Sequence, residues 1–388
     1  VTPAARVAWG LAVAALIGCQ ASVTPPAVPP TEVAERQVIT PVDGGTVREL
    51  RRRGDLALRE EKWQDAADAF RTLIAAAGVV DDPAVSTYLL DLGLAEEGLG
   101  DRARARAAYL DLARRFPASV EARAAVLRTI AVDDYLEDWT ALGTAATTVL
   151  ARTDLDDLDR LTGLGARALS EVEAGDDSSA MRDIQEGLDL VDRSGLGATG
   201  RLPNGAAQLR FALAEVRRVR SERLALVPVT QEFPARLEER CRGLLDAQGA
   251  FADAMRAMDP HWTAMSAFRI GAMYEKLHGE LVSIPPTEQA KTHAQQDLFF
   301  AMMHVRYRVL LEKGLEMMKR TVALGTQTTE VSPWVERAAA AQTEMTKAIE
   351  EEKAHLATLP YTEETIQAAL VDLEKKTLAK KAKQAATK

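Results

Sequence analysis

The chain has 388 residues, 47% of them hydrophobic and only 5% aromatic, with a formal net charge of −9. That is enough apolar material for a substantial core and enough length for two or three domains, and few aromatics beside abundant Ala and Leu suit close-packed helices rather than sheets. The acidic balance argues against a nucleic-acid partner, and two cysteines, Cys19 and Cys241, exclude a disulfide framework and a four-cysteine zinc site.

Arg6 precedes an apolar run over 7–17 that is too short to span a bilayer as a mature helix but fits the hydrophobic core of a signal peptide. The run ends in Leu16-Ile17-Gly18-Cys19, which resembles a bacterial lipobox. The resemblance implies removal of 1–18 and acylation of Cys19, palmitate included, on its thiol and its new amino group. Small Gly18 suits a protease subsite, and only a thiol can form the thioether. Val1 reads as a GTG start translated literally, which sets this signal at the start of the chain. With Cys19 lipidated, Cys241 has no partner within the chain and is expected as a buried free thiol. Gln20 replaces the aspartate that retains lipoproteins at the inner membrane in enteric bacteria, so the expected location is the periplasmic face of the outer membrane. Pro25, Pro26, Pro29, Pro30 and Pro41 then mark an extended tether, so that anchor and tether together occupy 19–46.

The stretch 86–117 organises the folded part of the chain. Leu89, Leu92, Gly93, Ala105, Tyr109 and Pro117 fall at the spacing W-x2-L-G-x2-Y…A-x3-F…P, and Gly54, Ala66 and Phe70 occupy the same places in 47–78. This spacing resembles the tetratricopeptide repeat, a helix-turn-helix unit. Two antiparallel helices approach closely where each offers a small residue, so Gly93 is expected opposite Ala105, with Tyr109 beside the contact and Pro117 ending the second helix. Glu96 departs from the pattern, which prefers an aromatic there. Gly54 to Gly93 and Ala66 to Ala105 are both steps of 39 residues, so the extra residues are expected in 78–83. A third unit is expected over 120–153, with Trp139 where the first has Trp63 and Ile130 and Leu142 in place of the small pair. A fourth is expected over 158–194, with Leu161, Leu164 and Gly165 matching the first helix and Ala180 and Ile184 the second, beyond an insertion at 176–179. The repeat region is thus 47–195, and the resemblance implies a concave face on which Leu89, Asp91 and Glu96 are pattern positions of one first helix.

The stretch 195–205 breaks the helical pattern. Its Gly195, Gly197 and Gly200 satisfy G-x-G-x-x-G, but a helix rather than a buried strand precedes them and Leu202-Pro203-Asn204 comes next, so no dinucleotide site is expected. A second helical domain is expected over 204–358. Ile270-Gly271-x2-Tyr274 repeats the L-G-x2-Y element there, with Ala294 and Leu298 as its second-helix partners across Pro285-Pro286. A long helix over 289–324 carries Leu298, Met302, Val305 and Val309 on one face, read as core. Ser332-Pro333 reads as a cap and first-turn proline for the next helix, and Thr362 as the cap of the last. The remainder, 360–388, is a helix with a lysine-rich tail whose last fourteen residues are expected as a solvated end. From Ala207 to about Leu324, through Asp259-Pro-His-Trp262, Arg269-Ile-Gly-Ala-Met-Tyr274 and Ile284-Pro-Pro286, the chain also resembles tetratricopeptide-repeat lipoproteins of myxobacteria, some of whose relatives belong to gliding or trafficking machinery.

His261, His278, His293, His304 and His355 are dispersed without metal-ligand spacing, and each is expected on the surface or as a satisfied core residue. Asp154, Asp156, Asp157 and Asp159 lack the glycine and terminal glutamate of a calcium loop and lie where carboxylates favour a helix start. Neither a nucleophile elbow nor a phosphate-binding lysine loop is present. The expectation is an all-α, tetratricopeptide-like solenoid with longer helices in its second half. It has no catalytic residue, cofactor or metal, and serves as a lipid-anchored scaffold for other envelope proteins, with a gliding or trafficking machine as the expected setting. An accessory of outer-membrane protein assembly and a cell-wall or polysaccharide binder are the alternatives; the oligomeric state is left open.

Overall fold

Four times between residues 44 and 193 the chain makes the same turn between two antiparallel helices. The pairs are α1 (Gly44–Arg59) with α2 (Trp63–Ala77), α3 (Ala84–Gly98) with α4 (Arg102–Arg115), α5 (Val120–Tyr135) with α6 (Trp139–Leu150), and α7 (Asp157–Glu173) with α8 (Asp177–Arg193). In each turn one residue takes a positive φ: Glu61 at 55°, Gly100 at 78°, Glu137 at 54° and Gly175 at 83°. The next N–H then reaches back to a carbonyl in the last turn of the helix just ended. The bonds are Lys62 to Ala57 (2.9 Å), Asp101 to Glu96 (2.9 Å), Asp138 to Asp133 (3.0 Å) and Asp176 to Glu171 (2.9 Å). This is the left-handed stop that satisfies carbonyls a helix end leaves unpaired. In three turns the residue is an aspartate that also starts the next helix: Asp101, Asp138 and Asp176 accept from the N–H of Arg104, Ala141 and Ser179 at 3.0, 3.1 and 3.0 Å. The residues 176–179, expected as an insertion, are therefore this cap and the first turn of α8.

The computed structural model describes residues 44–77, 83–198, 200–286, 290–328 and 332–386. The signal, Cys19 and the tether up to residue 43 lie outside the described residues, as does all of the expected insertion at 78–83 except Pro83; Gly44, Gly45 and Thr46, expected in the tether, instead begin α1. After the hairpins come α9 (Asn204–Glu222), α10 (Phe233–Ala254), a 3-10 turn (Met255–Ala257), α11 (Pro260–Val282), α12 (His293–Thr328), α13 (Pro333–Ala357) and α14 (Glu363–Ala386). The described residues contain no strand. The fold is an all-α solenoid of stacked hairpins that passes into longer helices, α12 alone having 36 residues, roughly 54 Å. No described helix is long and apolar enough to cross a membrane.

Small separate cores hold the first two hairpins, one around Phe70, Leu73 and Tyr88 and one around Leu89, Tyr109 and Leu112. From α5 a larger core runs through Leu142, Leu164, Phe211, Phe251 and Trp262 to Trp334, and α12–α14 add two small cores of their own, one around Met318 and Met345 and one around Ala301 and Leu356. The larger core passes under the break at 195–205, because α9 packs against both α7 and α8.

Five local expectations are corrected by this packing. Gly165 serves the approach of α9 rather than α8: a Cβ there would lie 3.0 Å from the Gly205 carbonyl oxygen. Gly271 is met by Gly314 and Met318 of α12, not by Ala294 and Leu298, because α11 and α12 run antiparallel and the contact falls further along the longer helix. Ser332 stands at the start of α13 without a side-chain cap, its Oγ buried and unpartnered. Thr362 does cap, accepting from the Thr365 N–H at 3.3 Å. The lysine-rich end continues as α14 to Ala386 rather than leaving the helix at 375. Leu89 and Glu96 are buried, at 3% and 2% exposure, and so are core rather than inner-face contacts.

Candidate functional site

The repeat-packing residues occupy one kind of place in each hairpin. A Cβ on Gly54 would lie 2.9 Å from Phe70 Cζ, and one on Gly93 would run into the Tyr109 ring. The ring, more than Ala105, therefore fills the space that Gly93 leaves. Ala66, Phe70, Ala105 and Tyr109 have no exposed surface, and the Tyr109 hydroxyl donates to Glu97 at 2.6 Å. Leu92 is half-buried against the first of the small cores. Pro117 comes directly after Phe116, the residue that closes α4. Tyr274 is buried and donates to Gln248 at 2.6 Å, tying α11 to α10.

Successive hairpins are joined by buried acids. Glu96 on α3 pairs with Arg71 of α2, and Asp133 on α5 with Arg106 of α4 at 2.7 Å. Burial pushes the Asp133 carboxyl up to about 6, against the pull of Arg106. Asp91 is half-buried, and burial with Asp55 beside it raises its carboxyl to about 6. The acidic group at the start of α7 has the same linking role. Asp156 caps the helix through the Asp159 N–H at 2.9 Å, while Arg123 of α5 reaches Asp156 at 2.9 Å and Asp159.

Two further groupings join residues far apart in sequence. In the first, His261 Nε2 lies 2.8 Å from Asp134 Oδ2, both side chains almost fully buried. The imidazole stacks on Tyr135 at 3.9 Å between centroids, and the Arg102 guanidinium covers the other aromatic face at 3.7 Å. A cavity of about 150 Å³ adjoins the pair, with Thr162, Gln208 and Trp262 in its wall. Asp134 Oδ1, His261 Nδ1 and Gln208 Nε2 are buried there without partners. The Thr162 hydroxyl donates to the Leu158 carbonyl at 2.9 Å, and the Asp–His pair ties α5 to α11. In the second grouping, His278 of α11, His304 of α12 and Glu352 of α13 converge, their ligating atoms all within 4.8 Å of one another. Burial works to raise the Glu352 carboxyl, and the two imidazoles outweigh it and hold it at about 2. Cys241 is half-buried and free, and burial raises its thiol.

No protein-family model and no curated protein matches the chain. Among solved structures it is similar to a tetratricopeptide repeat protein from Parabacteroides merdae, at 14% identity and a TM-score of 0.43, over 78% of this chain and 100% of that one. It is also similar to a circular tandem repeat protein with a novel repeat topology, at 13% identity and a TM-score of 0.18, over 80% and 78% of the two chains. At these values neither likeness bears on what this chain does, and the fold rests on its own recurring hairpins.

The histidines mark what sequence reasoning missed. His278 and His304 share one carboxylate, although 26 residues separate them and another 48 lead to Glu352. No local pattern spans three helices, and the only sequence-level signal is a histidine near the end of one long helix and another near the start of the next.

Proposed function

We propose that the protein is a non-catalytic, lipid-anchored scaffold of the bacterial envelope, held at the periplasmic face of the outer membrane through Cys19 and working within a multiprotein machine of the gliding or trafficking kind. The observation that carries the scaffold reading is the fourfold recurrence of one hairpin turn at Glu61-Lys62, Gly100-Asp101, Glu137-Asp138 and Gly175-Asp176. A chain that repeats one unit presents an extended surface of similar edges, which suits long peptides and partner helices. The anchor rests on the tetrapeptide ending in Cys19 and the proline-rich stretch after it. The buried arginine–acid pairs serve the stack itself, each tying one hairpin to the next.

The test combines localisation with capture. Cys19→Ser is expected to yield a helical protein without acyl chains that leaves the membrane fraction; persistence of the variant in the outer membrane would remove the anchor from the proposal. Cross-linking in intact cells, followed by purification from solubilised envelopes, is expected to recover motility or trafficking proteins. Recovery of integral barrel proteins would assign it to outer-membrane assembly instead. Binding to purified sacculi free of protein would replace the scaffold with a glycan binder.

A further inference from the structure

The grouping at His278, His304 and Glu352 has the chemistry of a metal site. We propose that His278 Nε2, His304 Nδ1 and Glu352 Oε1 bind one zinc ion that clamps α11, α12 and α13 together, with solvent in the fourth position.

Two imidazoles and a carboxylate are a donor set that zinc takes in sites keeping one position open. Glu352 Oε1 lies 3.0 Å from His278 Nε2 and 2.8 Å from His304 Nδ1. Donors on a tetrahedral ion with bonds of about 2.0 Å stand about 3.3 Å apart, so these two distances need lengthen by only a few tenths of an ångström, and the two imidazole nitrogens already lie within 4.8 Å of each other. The two imidazoles meet the carboxylate differently: His304 Nδ1 is in hydrogen-bonding line with Oε1 at 2.8 Å, whereas His278 Nε2 is not. In a hydrogen bond the donor points at the acceptor; around a metal all donors point at a common centre beside the lines joining them. His278 is 6% exposed, and its Nε2 has no hydrogen-bond partner despite the carboxylate oxygen 3.0 Å away. A deeply buried nitrogen is thus left without a donor or acceptor in line.

The surroundings supply the support such a site needs. Arg308, 5% exposed, stands with Nε 3.5 Å from Glu352 Oε2 and donates through Nη1 to Glu363 of α14 at 2.8 Å. The guanidinium is an ion-pair neighbour of Oε2 rather than its hydrogen-bond donor, since Oε2 and Arg308 Nε are both buried without hydrogen-bond partners, and it stands on the side of the carboxylate away from Oε1 and the imidazoles. Its positive charge is offset by Glu363, so the cation does not confront an unbalanced guanidinium. His278 and Glu352 are shielded while His304 is 27% exposed in its side chain, which places the entry path and the solvent position on the α12 side.

Full-length protein purified in detergent, stripped with a chelator and exchanged into chelator-free buffer tests this. Titration with zinc alone is expected to show one ion per chain. Cobalt in its place is expected to give the intense visible bands of a four-coordinate ion. His278→Ala and the shape-preserving Glu352→Gln are each expected to weaken zinc binding by about 10-fold or more with the helical circular dichroism unchanged, whereas His355→Ala, at an exposed histidine on α13, leaves it intact. If His278→Ala does not fold, Glu352→Gln alone decides. Stripped wild-type protein that takes up no zinc would overturn the site, as would equal affinity in wild type and Glu352→Gln, or loss only in His355→Ala.

Discussion

Gly93 shows how much one missing side chain decides. The Tyr109 ring occupies the volume a Cβ would need, and its hydroxyl is fixed by Glu97, so the ring has little freedom to yield. Gly93→Ala is expected to destabilise the protein by about 1–3 kcal/mol through overpacking, read as a fall in the urea midpoint with an unchanged slope. The need for a small residue at this position was legible in the spacing of Gly93, Ala105 and Tyr109, because close helix approach leaves a local signature. Glu96 was legible only as a departure from the pattern. That it lies buried against Arg71 depends on where the preceding hairpin comes to rest, which no property of α3 reveals.

Between elements, charge does what a wider apolar interface would do elsewhere. Asp133 is 1% exposed and its carboxylate lies against Arg106 from the preceding hairpin. Removing one partner of a buried pair leaves the other charge without compensation. Arg106→Gln is expected to cost about 3 kcal/mol at pH 7.5. The pH dependence comes from the Asp133 carboxyl, raised to about 6 in the folded chain. A raised carboxyl pKa means the folded state holds the proton more tightly than the unfolded state, so stability falls as pH rises from the ordinary carboxylate range through about 6. Without Arg106 that pKa rises further, and the penalty above it grows. The deficit of the variant is therefore expected to shrink at pH 4.5, where Asp133 is protonated in both proteins and only the more exposed contact of Arg106 with Asp138 is lost, and denaturation at the two pH values measures it. The hairpin turns themselves were open to a sequence reading at Gly100-Asp101 and Gly175-Asp176. Glu61 and Glu137 hid the recurrence, since neither residue type advertises a positive φ.

At the scale of the molecule, the Asp134–His261 pair and the Tyr135 stack join the third hairpin to α11 across 127 residues. Arg337 of α13 reaches Glu137 at 2.7 Å, bringing the same hairpin to a helix further on. His261→Leu is expected to cost about 1–3 kcal/mol, because it leaves the buried Asp134 carboxyl without its hydrogen-bond partner. Replacing both residues, Asp134→Leu with His261→Leu, is expected to recover most of that loss, and a double-mutant cycle by chemical denaturation measures the coupling. Equal losses in the single and double variants would mean that the shape of the ring, rather than its polar contact with Asp134, holds the junction.

Composition and the spacing of small residues were sufficient to determine an all-α chain of stacked hairpins, because helix periodicity and close approach between sequence neighbours are local properties. Only tertiary structure decided that one core passes beneath the glycine-rich break, that Gly271 meets Gly314, and that His278, His304 and Glu352 share a centre. These depend on how long helices lie across one another, and a contact between distant residues leaves no spacing in the sequence to read.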